Sequence, residues 1–188
     1  KVVVKTTQKG PHSGAQEYSQ EAFEQRLNAW DGKSKADIQQ VFKDFSSQGS
    51  FVQWILDAMS VLPLAPGATW LLKRYLESGG KLKAKEVSQV YRRLLTWSEN
   101  TEWESRLHVF QSMEWLPINK SWAKKLAPFL THHLTHPNKF LRAWAYHGYY
   151  HLARQHIEFR EPWWQFKALA ERDEAASVKA RIRNLGDF

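Results

Sequence analysis

Basic side chains recur at similar places along this chain, and their chemistry suits phosphate groups. Arg106, Arg142, Lys179 and Arg183 each fall in the second helix of a predicted helical pair. A row of such groups on one side of stacked helices could follow a phosphate backbone. Arg106 and Arg142 could instead bond acidic and carbonyl groups of the neighbouring repeat, because buried Arg is usually paired. Further basic pairs on predicted first helices are expected to be solvated: Lys73-Arg74, Arg92-Arg93 and Lys124-Lys125.

Aromatic residues accompany these basic positions. Arg142 and Tyr149 are seven residues apart, so they share one face of a predicted helix. Aromatic rings beside Arg suit base stacking or the capture of a cationic base, although packing between repeats is the alternative for any single ring. The sequence therefore predicts a nucleic-acid-binding surface formed by Arg106, Arg142, Tyr149, Lys179, Arg183, Trp103 and Trp144.

Two pairs of histidines have a spacing that can chelate a metal ion. His132 and His136 are four residues apart, as are His147 and His151, and two His one helical turn apart can bind zinc. The first pair lacks the Glu of a metalloprotease helix. No carboxylate is placed by the sequence as a clear third ligand for either pair. We therefore expect no metal and no cofactor, and surface or half-buried histidines.

The motifs of common enzyme classes do not occur in this sequence. There is no nucleophile elbow or nucleotide fingerprint, and GGKLK at 79–83 lacks the spacing of a phosphate loop. The absence of Cys excludes disulfides, thiol nucleophiles and Cys-ligated zinc. A chain without Cys fits a reducing cytoplasm, which we take as the expected location, but it also fits many periplasmic proteins.

Composition indicates an ordinary folded domain with a basic bias. A chain of 188 residues favours one domain that can bury a large core without a metal or disulfide. The net charge of +8 suggests a polyanionic partner such as DNA, although a basic protein without that role is equally compatible. No apolar run approaches the roughly 18 residues of a membrane span, so we expect no membrane partner and no signal peptide.

Helices must position these residues. Residues 1–15 lack helical periodicity and are predicted to be an extended, partly mobile tail, with a strand at most at Val2–Val4. Residues 16–188 are predicted to form one domain, because apolar residues then recur at three- and four-residue steps between short polar turns. The predicted helices are 16–29, 34–46, 50–62, 67–78, 83–97, 101–115, 120–135, 138–155, 162–172 and 175–185.

The helices form a faint repeat. Ten short helices with short links favour stacked hairpins over a four-helix bundle. Four segments share a small or apolar residue, then a long polar one, then an apolar stretch, and the polar positions are Gln53, Arg106, Arg142 and Lys179. Their spacings are 53, 36 and 37 residues. The last two match one two-helix repeat, and the first leaves room for an inserted helix at 67–78.

This pattern resembles the HEAT repeats. In that family the second helix of each pair begins with an Asp or Asn turn and a pattern such as V-R-x-x-A. The segment 136–153 is the clearest instance, with Arg142 and Ala145 at the basic and small positions. Pro128 would bend its helix, and HEAT first helices are often bent. The resemblance covers about residues 34–186 and implies an all-α, right-handed solenoid of stacked hairpins whose second helices line the concave side.

The function predicted on this basis is a non-catalytic binding module. Its basic, aromatic concave face would hold nucleic acid or a protein partner. HEAT arrays also serve as structural subunits of larger assemblies, and that alternative stays open. The sequence does not indicate an oligomeric state or a role for the 1–15 tail.

A more distant resemblance suggests an enzymatic alternative. The segment 97–111 is similar to a stretch in the bacterial DNA alkylation-repair glycosylases, which are HEAT-like solenoids. In that family a Trp, an acidic-Asn turn, a second Trp and an Arg lead into an apolar helix. With a turn one residue longer, those positions are occupied here by Trp97, Glu99-Asn100, Trp103 and Arg106.

The same resemblance implies further site residues. The family's later Gly-Trp falls near Gly148-Tyr149, where Tyr replaces Trp. The nearest match in this chain to the family's catalytic Asp is Asp57, which lies near Trp54 but at a different spacing from it. The resemblance covers about 90 residues and implies release of an alkylated base. Asp57 would stabilise positive charge on the sugar, while Trp and Arg would cradle the lesion and its phosphates. A degenerate relative would bind DNA without cleaving a base.

Overall fold

Every regular element in the computed structural model, which describes residues 16–98 and 103–188, is a helix. The all-α prediction is therefore confirmed for these residues, whereas the 1–15 tail and the Glu99-Asn100 turn lie outside them. Single turns of 3-10 helix follow two of the helices, at Met113–Trp115 and Ile157–Phe159. The ten α-helices are α1 (Gln20–Ala29), α2 (Lys35–Phe45), α3 (Phe51–Ala58), α4 (Ala65–Glu77), α5 (Ala84–Thr96), α6 (Trp103–Ser112), α7 (Lys120–His133), α8 (Lys139–Gln155), α9 (Arg160–Ala170) and α10 (Ala176–Arg183).

Polar caps define where several helices begin. The side chains of four residues each accept a hydrogen bond from a backbone N–H in the first turn: Ser19 for α1, Ser34 for α2, Asn119 for α7 and Asn138 for α8. Each such cap stabilises its helix by about 1 kcal/mol. At α5 the Glu86 carboxylate performs a related role, because it accepts a hydrogen bond from the Lys83 backbone N–H.

The helices form two layers. In one layer the even-numbered helices pack against one another in chain order: α2 contacts α4, α4 contacts α6, α6 contacts α8 and α8 contacts α10. In the other layer α1, α3, α5 and α7 follow one another in the same way. Each odd-numbered helix also contacts the even-numbered helix that follows it in the chain. None of the described helices is both long and apolar enough to cross a membrane.

These contacts correct the repeat register expected from the sequence. Gln53 lies on α3, in the odd-numbered layer, whereas Arg106, Arg142 and Lys179 lie on α6, α8 and α10. The segment expected to be an insertion, α4, is the regular even-layer neighbour of α6. Small residues let α4 pack closely, since a methyl group at Gly67 would lie 2.9 Å from the Leu27 side chain. The short polar-apolar pattern that α3 shares with α6, α8 and α10 was not sufficient to assign α3 to a layer.

Helix α8 lies at the centre of the core. It contacts α6, α7, α9 and α10, and consequently all its residues from Ala145 to Ala153 are buried. Gly148 permits this approach, because a methyl group there would lie 2.9 Å from both Met113 and Leu130. Side chains around α8 therefore point into different surroundings.

Candidate functional site

Arg142, the clearest basic position of the repeat, is held in an ion pair between successive hairpins. Its Nε and Nη2 atoms each donate to one oxygen of the Asp173 carboxylate at 2.8 Å. Its Nη1 atom donates to the carbonyl oxygen of His136 at 2.8 Å. Both side chains are 11% exposed. The hydrogen bonds raise the pKa of Arg142 and lower that of Asp173. The guanidinium thus joins the start of α8 to the turn before α10.

Arg106 and Trp103 are also engaged in internal contacts. The Arg106 side chain is buried, and its Nη2 atom donates to the carbonyl oxygen of Ser98 at 3.0 Å. Trp103 is half-buried, and its ring is stacked on Phe140 with centroids 6.5 Å apart. The structure therefore places both residues against the chain itself, at the end of the layers where the α5–α6 connection runs.

The two aromatic residues of α8 lie in different environments. Tyr149 is 2% exposed, and its ring packs edge-on against Phe159 and Phe166. Trp144 is half-buried, with the guanidinium of Arg181 4.3 Å above its ring. Burial raises the pKa of Tyr149. The predicted pairing of Arg142 with Tyr149 does not present a ring and a cation together to solvent.

Lys179 and Arg183 line a groove of about 450 Å³ at the C-terminal end. Arg183 is exposed and Lys179 is half-buried. Acidic residues share the groove, since Glu171 and Asp187 also line it. The local charge is therefore mixed, and the two cations do not continue a row from Arg142.

Asp57, the residue of the enzymatic alternative, lies on α3 in the odd-numbered layer. Its carboxylate accepts hydrogen bonds from Gln53 Nε2 at 2.8 Å and from Gln20 Nε2 at 3.1 Å. These partners differ from those of Arg106 and Tyr149. The structure accordingly places the three residues in three separate environments and does not bring them together in one cleft.

Over the part of the chain that the structure describes, accessible positive charge is concentrated on two neighbouring helices of the odd-numbered layer, α5 and α7. Among the described residues, no carboxylate lies within 4.0 Å of any of these cations. Helix α7 contains no acidic residue, and the one on α5, Glu86, caps its helix. Six exposed or half-exposed side chains form this surface, here called the α5–α7 basic face: Lys85, Arg92, Arg93, Lys120, Lys124 and Lys125.

Trp122 joins the two halves of the α5–α7 basic face. Its Nε1 atom donates to Ser88 Oγ at 3.1 Å, and its ring lies 5.7 Å from that of Tyr91 on α5. The Lys125 ammonium sits 4.9 Å from the centre of the Trp122 ring. Ser88 in turn lines a groove of about 370 Å³ together with Lys85, Gln89, Arg92 and Arg93. The groove is completed by Leu56 of α3 and has no α7 residue in its lining. The basic pairs of α5 and α7, separate in the sequence, thus lie on neighbouring helices that Trp122 joins.

A second cluster lies where the 3-10 turn after α6 meets α8. Glu114 Oε2 lies 4.0 Å from His147 Nε2 and 3.9 Å from His151 Nε2. His147 is 2% exposed, and neither of its ring nitrogens makes a well-formed hydrogen bond to a described residue. The Gln111 backbone is close enough to raise the pKa of His147 slightly but lies outside hydrogen-bonding geometry. The sequence had indicated no third ligand for this pair, and the structure supplies Glu114.

The electrostatics of this cluster keep both imidazoles neutral. Burial, together with smaller contributions from neighbouring groups that include Arg181, lowers the pKa of His147 to about 3 and that of His151 to about 4. Burial raises the pKa of Glu114, while Arg181 opposes that rise. Within the described part of the chain, these three residues form the one group of potential metal ligands with convergent donor atoms.

Two other histidines, the buried His133 and the half-buried His108, predict a loss of stability in mild acid. Burial lowers the pKa of His108 to about 3 and that of His133 to about 4, against about 6.5 in an unfolded chain. Below that value the unfolded chain binds protons that the folded chain does not, so the free energy of unfolding falls as the pH drops. At about pH 5 each residue should cost up to about 2 kcal/mol. Urea unfolding at neutral pH and at about pH 5 measures this difference.

A matched variant identifies the source of that pH dependence. His133 Nδ1 lies 2.8 Å from the Phe129 carbonyl oxygen, a hydrogen bond that a glutamine could partly replace without titrating. His133→Gln should therefore remove the share of this residue in the pH dependence, up to about 2 kcal/mol between neutral pH and about pH 5, while His108 retains its own. An unfolding free energy that is equal at both pH values in the parent chain would contradict the burial of these groups.

No protein-family model, no curated protein and no solved structure matches this chain. The resemblances to HEAT repeats and to repair glycosylases remain predictions from the sequence.

Proposed function

We propose that this chain is a HEAT-like helical-repeat module, a right-handed solenoid of stacked hairpins, that binds duplex DNA through the α5–α7 basic face. The order of contacts within each layer supports the solenoid, because stacked hairpins pack each helix against its counterparts in the adjacent repeats. The observation that carries the binding proposal is a set of six cations on two adjacent helices without a carboxylate partner among the described residues.

The dimensions of the α5–α7 basic face suit a phosphate backbone. Helix α7 has 14 residues and is therefore about 20 Å long. Lys85 and Arg92 are seven residues apart, or about 10 Å along α5, which is the axial rise of about three phosphates on one strand. Contacts from Lys and Arg to phosphates carry no direct information on base sequence. Binding should therefore depend strongly on salt and weakly on DNA sequence.

The binding surface proposed here is not the one that the sequence predicted. We propose the α5–α7 basic face in place of the row of cations predicted on the concave side, because Arg142 is paired with Asp173 and Arg106 is buried against Ser98. Binding is proposed without base excision, because the Asp57 carboxylate is bonded to two glutamines and lies apart from Arg106 and Tyr149.

A salt series with duplex DNA tests this function. Fluorescence anisotropy of a labelled duplex of about 20 base pairs should show micromolar binding at about 50 mM salt. If most of the six cations contact phosphates, the logarithm of the binding constant should fall with the logarithm of salt concentration at a slope of about −4 to −5. Duplexes of unrelated sequence should bind alike. The absence of binding at low salt would exclude the proposal.

A further inference from the structure

We propose that Glu114, His147 and His151 bind a divalent transition-metal ion, with Zn²⁺ as the best match to their chemistry. Two imidazoles and one carboxylate are the protein ligands of many zinc sites that keep a fourth position open. Imidazole ligands favour zinc and its neighbours in the transition series over Mg²⁺ or Ca²⁺, which prefer oxygen donors. This inference does not depend on DNA binding, because the cluster and the α5–α7 basic face lie on different helices.

The positions of the donor atoms are close to what a zinc ion requires. His147 and His151 are one turn apart on α8, and Glu114 approaches them from the 3-10 turn after α6. The donor atoms of all three residues lie within 4.8 Å of one another. Tetrahedral zinc with bonds of about 2.1 Å separates its ligand atoms by about 3.4 Å. Glu114 Oε2 lies roughly half an ångström farther than that from each histidine nitrogen. Its side chain is 37% exposed, so it can move toward both histidines.

The surroundings of His147 support a ligand at this point. The His147 imidazole is buried, and neither of its nitrogens makes a well-formed hydrogen bond within the described part of the chain. Such a group is costly and usually has a partner. A metal ion bound to His147 Nε2 would provide one. Glu114 supplies the negative charge that the two histidines lack.

The cluster can also be reached from solvent. A groove of about 380 Å³ is lined by Glu114, His151, Arg154 and neighbouring residues of the turn after α6. Through this groove a metal ion could enter and a water molecule could occupy the fourth position. Arg181 and Arg154 act electrostatically on the cluster and would balance Glu114 when no metal is bound.

Metal titration of the full chain tests the site. After treatment with EDTA and its removal, Zn²⁺ alone is titrated calorimetrically, and Co²⁺ alone is added as a spectroscopic probe of coordination geometry. We expect one Zn²⁺ per chain with a micromolar or tighter dissociation constant, a higher melting temperature, and the visible absorption of tetrahedral Co²⁺. The absence of Zn²⁺ binding would overturn the proposal.

Three single variants locate the ion. Glu114→Gln and His151→Gln should weaken Zn²⁺ binding at least about 10-fold and remove the Co²⁺ absorption, because each removes one ligand. His132→Gln, a change at an exposed histidine of the other pair, should leave both unchanged. Circular dichroism in EDTA checks that each variant is folded, and Glu114→Gln, at a partly exposed residue, keeps the test valid if His151→Gln does not fold. Binding that survives Glu114→Gln, or is lost in His132→Gln, would overturn the assignment.

Discussion

A variant in which four residues of the α5–α7 basic face become glutamine is expected to bind duplex DNA roughly 100-fold more weakly than the parent chain at about 100 mM salt. The substitutions are Arg92→Gln, Arg93→Gln, Lys124→Gln and Lys125→Gln. Each lost phosphate contact removes about 0.9 from the salt slope, so the slope should become shallower by roughly 3 to 4. Glutamine has nearly the same helix propensity as Lys and Arg, and unfolding in urea should therefore be little changed.

A charge-matched control separates a defined surface from net charge alone. It removes four positive charges elsewhere through Lys35→Gln, Lys43→Gln, Lys179→Gln and Arg183→Gln, and so includes two residues that the sequence had assigned to nucleic-acid binding. We expect this control to lose less than about 5-fold in affinity, mostly through long-range electrostatics. An equal loss in both variants would show that the α5–α7 basic face is not the binding surface.

Arg142→Met is expected to lower the free energy of unfolding by about 3 kcal/mol. The change leaves the Asp173 carboxylate, which is 11% exposed, without its cation, and removes the donor to the His136 carbonyl oxygen. Breaking one side of a buried ion pair usually costs more than the pair contributes, because the remaining charge is uncompensated. Unfolding in urea, monitored by circular dichroism at neutral pH, measures the loss.

The ion pair can be tested separately from DNA binding. Arg142→Met combined with Asp173→Leu should be less destabilising than the sum of the two single changes, because no unpaired charge is left. DNA affinity of the folded Arg142→Met chain should equal that of the parent. A chain that keeps its stability but loses affinity would return Arg142 to the binding surface.

The helices were largely predictable because the sequence carries their signals locally. Apolar residues at three- and four-residue steps, with caps such as Ser34 and Asn138, locate helices that the structure confirms. The layer of each helix was less predictable. The pattern around Gln53 resembles that of the even-numbered helices, but burial against α1, α4 and α5 places α3 in the other layer.

The candidate sites depended on contacts between distant segments. A repeat-spaced Arg has the same sequence pattern whether it faces solvent or bonds the next hairpin, and Asp173 lies 31 residues from Arg142. Glu114 becomes a third potential ligand only because the end of α6 packs on α8. The basic pairs of α5 and α7 were visible in the sequence, but their juxtaposition depends on the contact between Trp122 and Ser88.

Lysine acetylation with and without duplex DNA tests the central claim most directly, because it reports which surface the DNA covers in the unaltered chain. At low salt and saturating duplex, mass spectrometry should show protection of Lys85, Lys124 and Lys125. Lysines elsewhere, such as Lys43 and Lys179, should react as they do in the free chain. Protection confined to Lys179, or equal reactivity of all lysines with and without DNA, would contradict the assignment of DNA binding to the α5–α7 basic face.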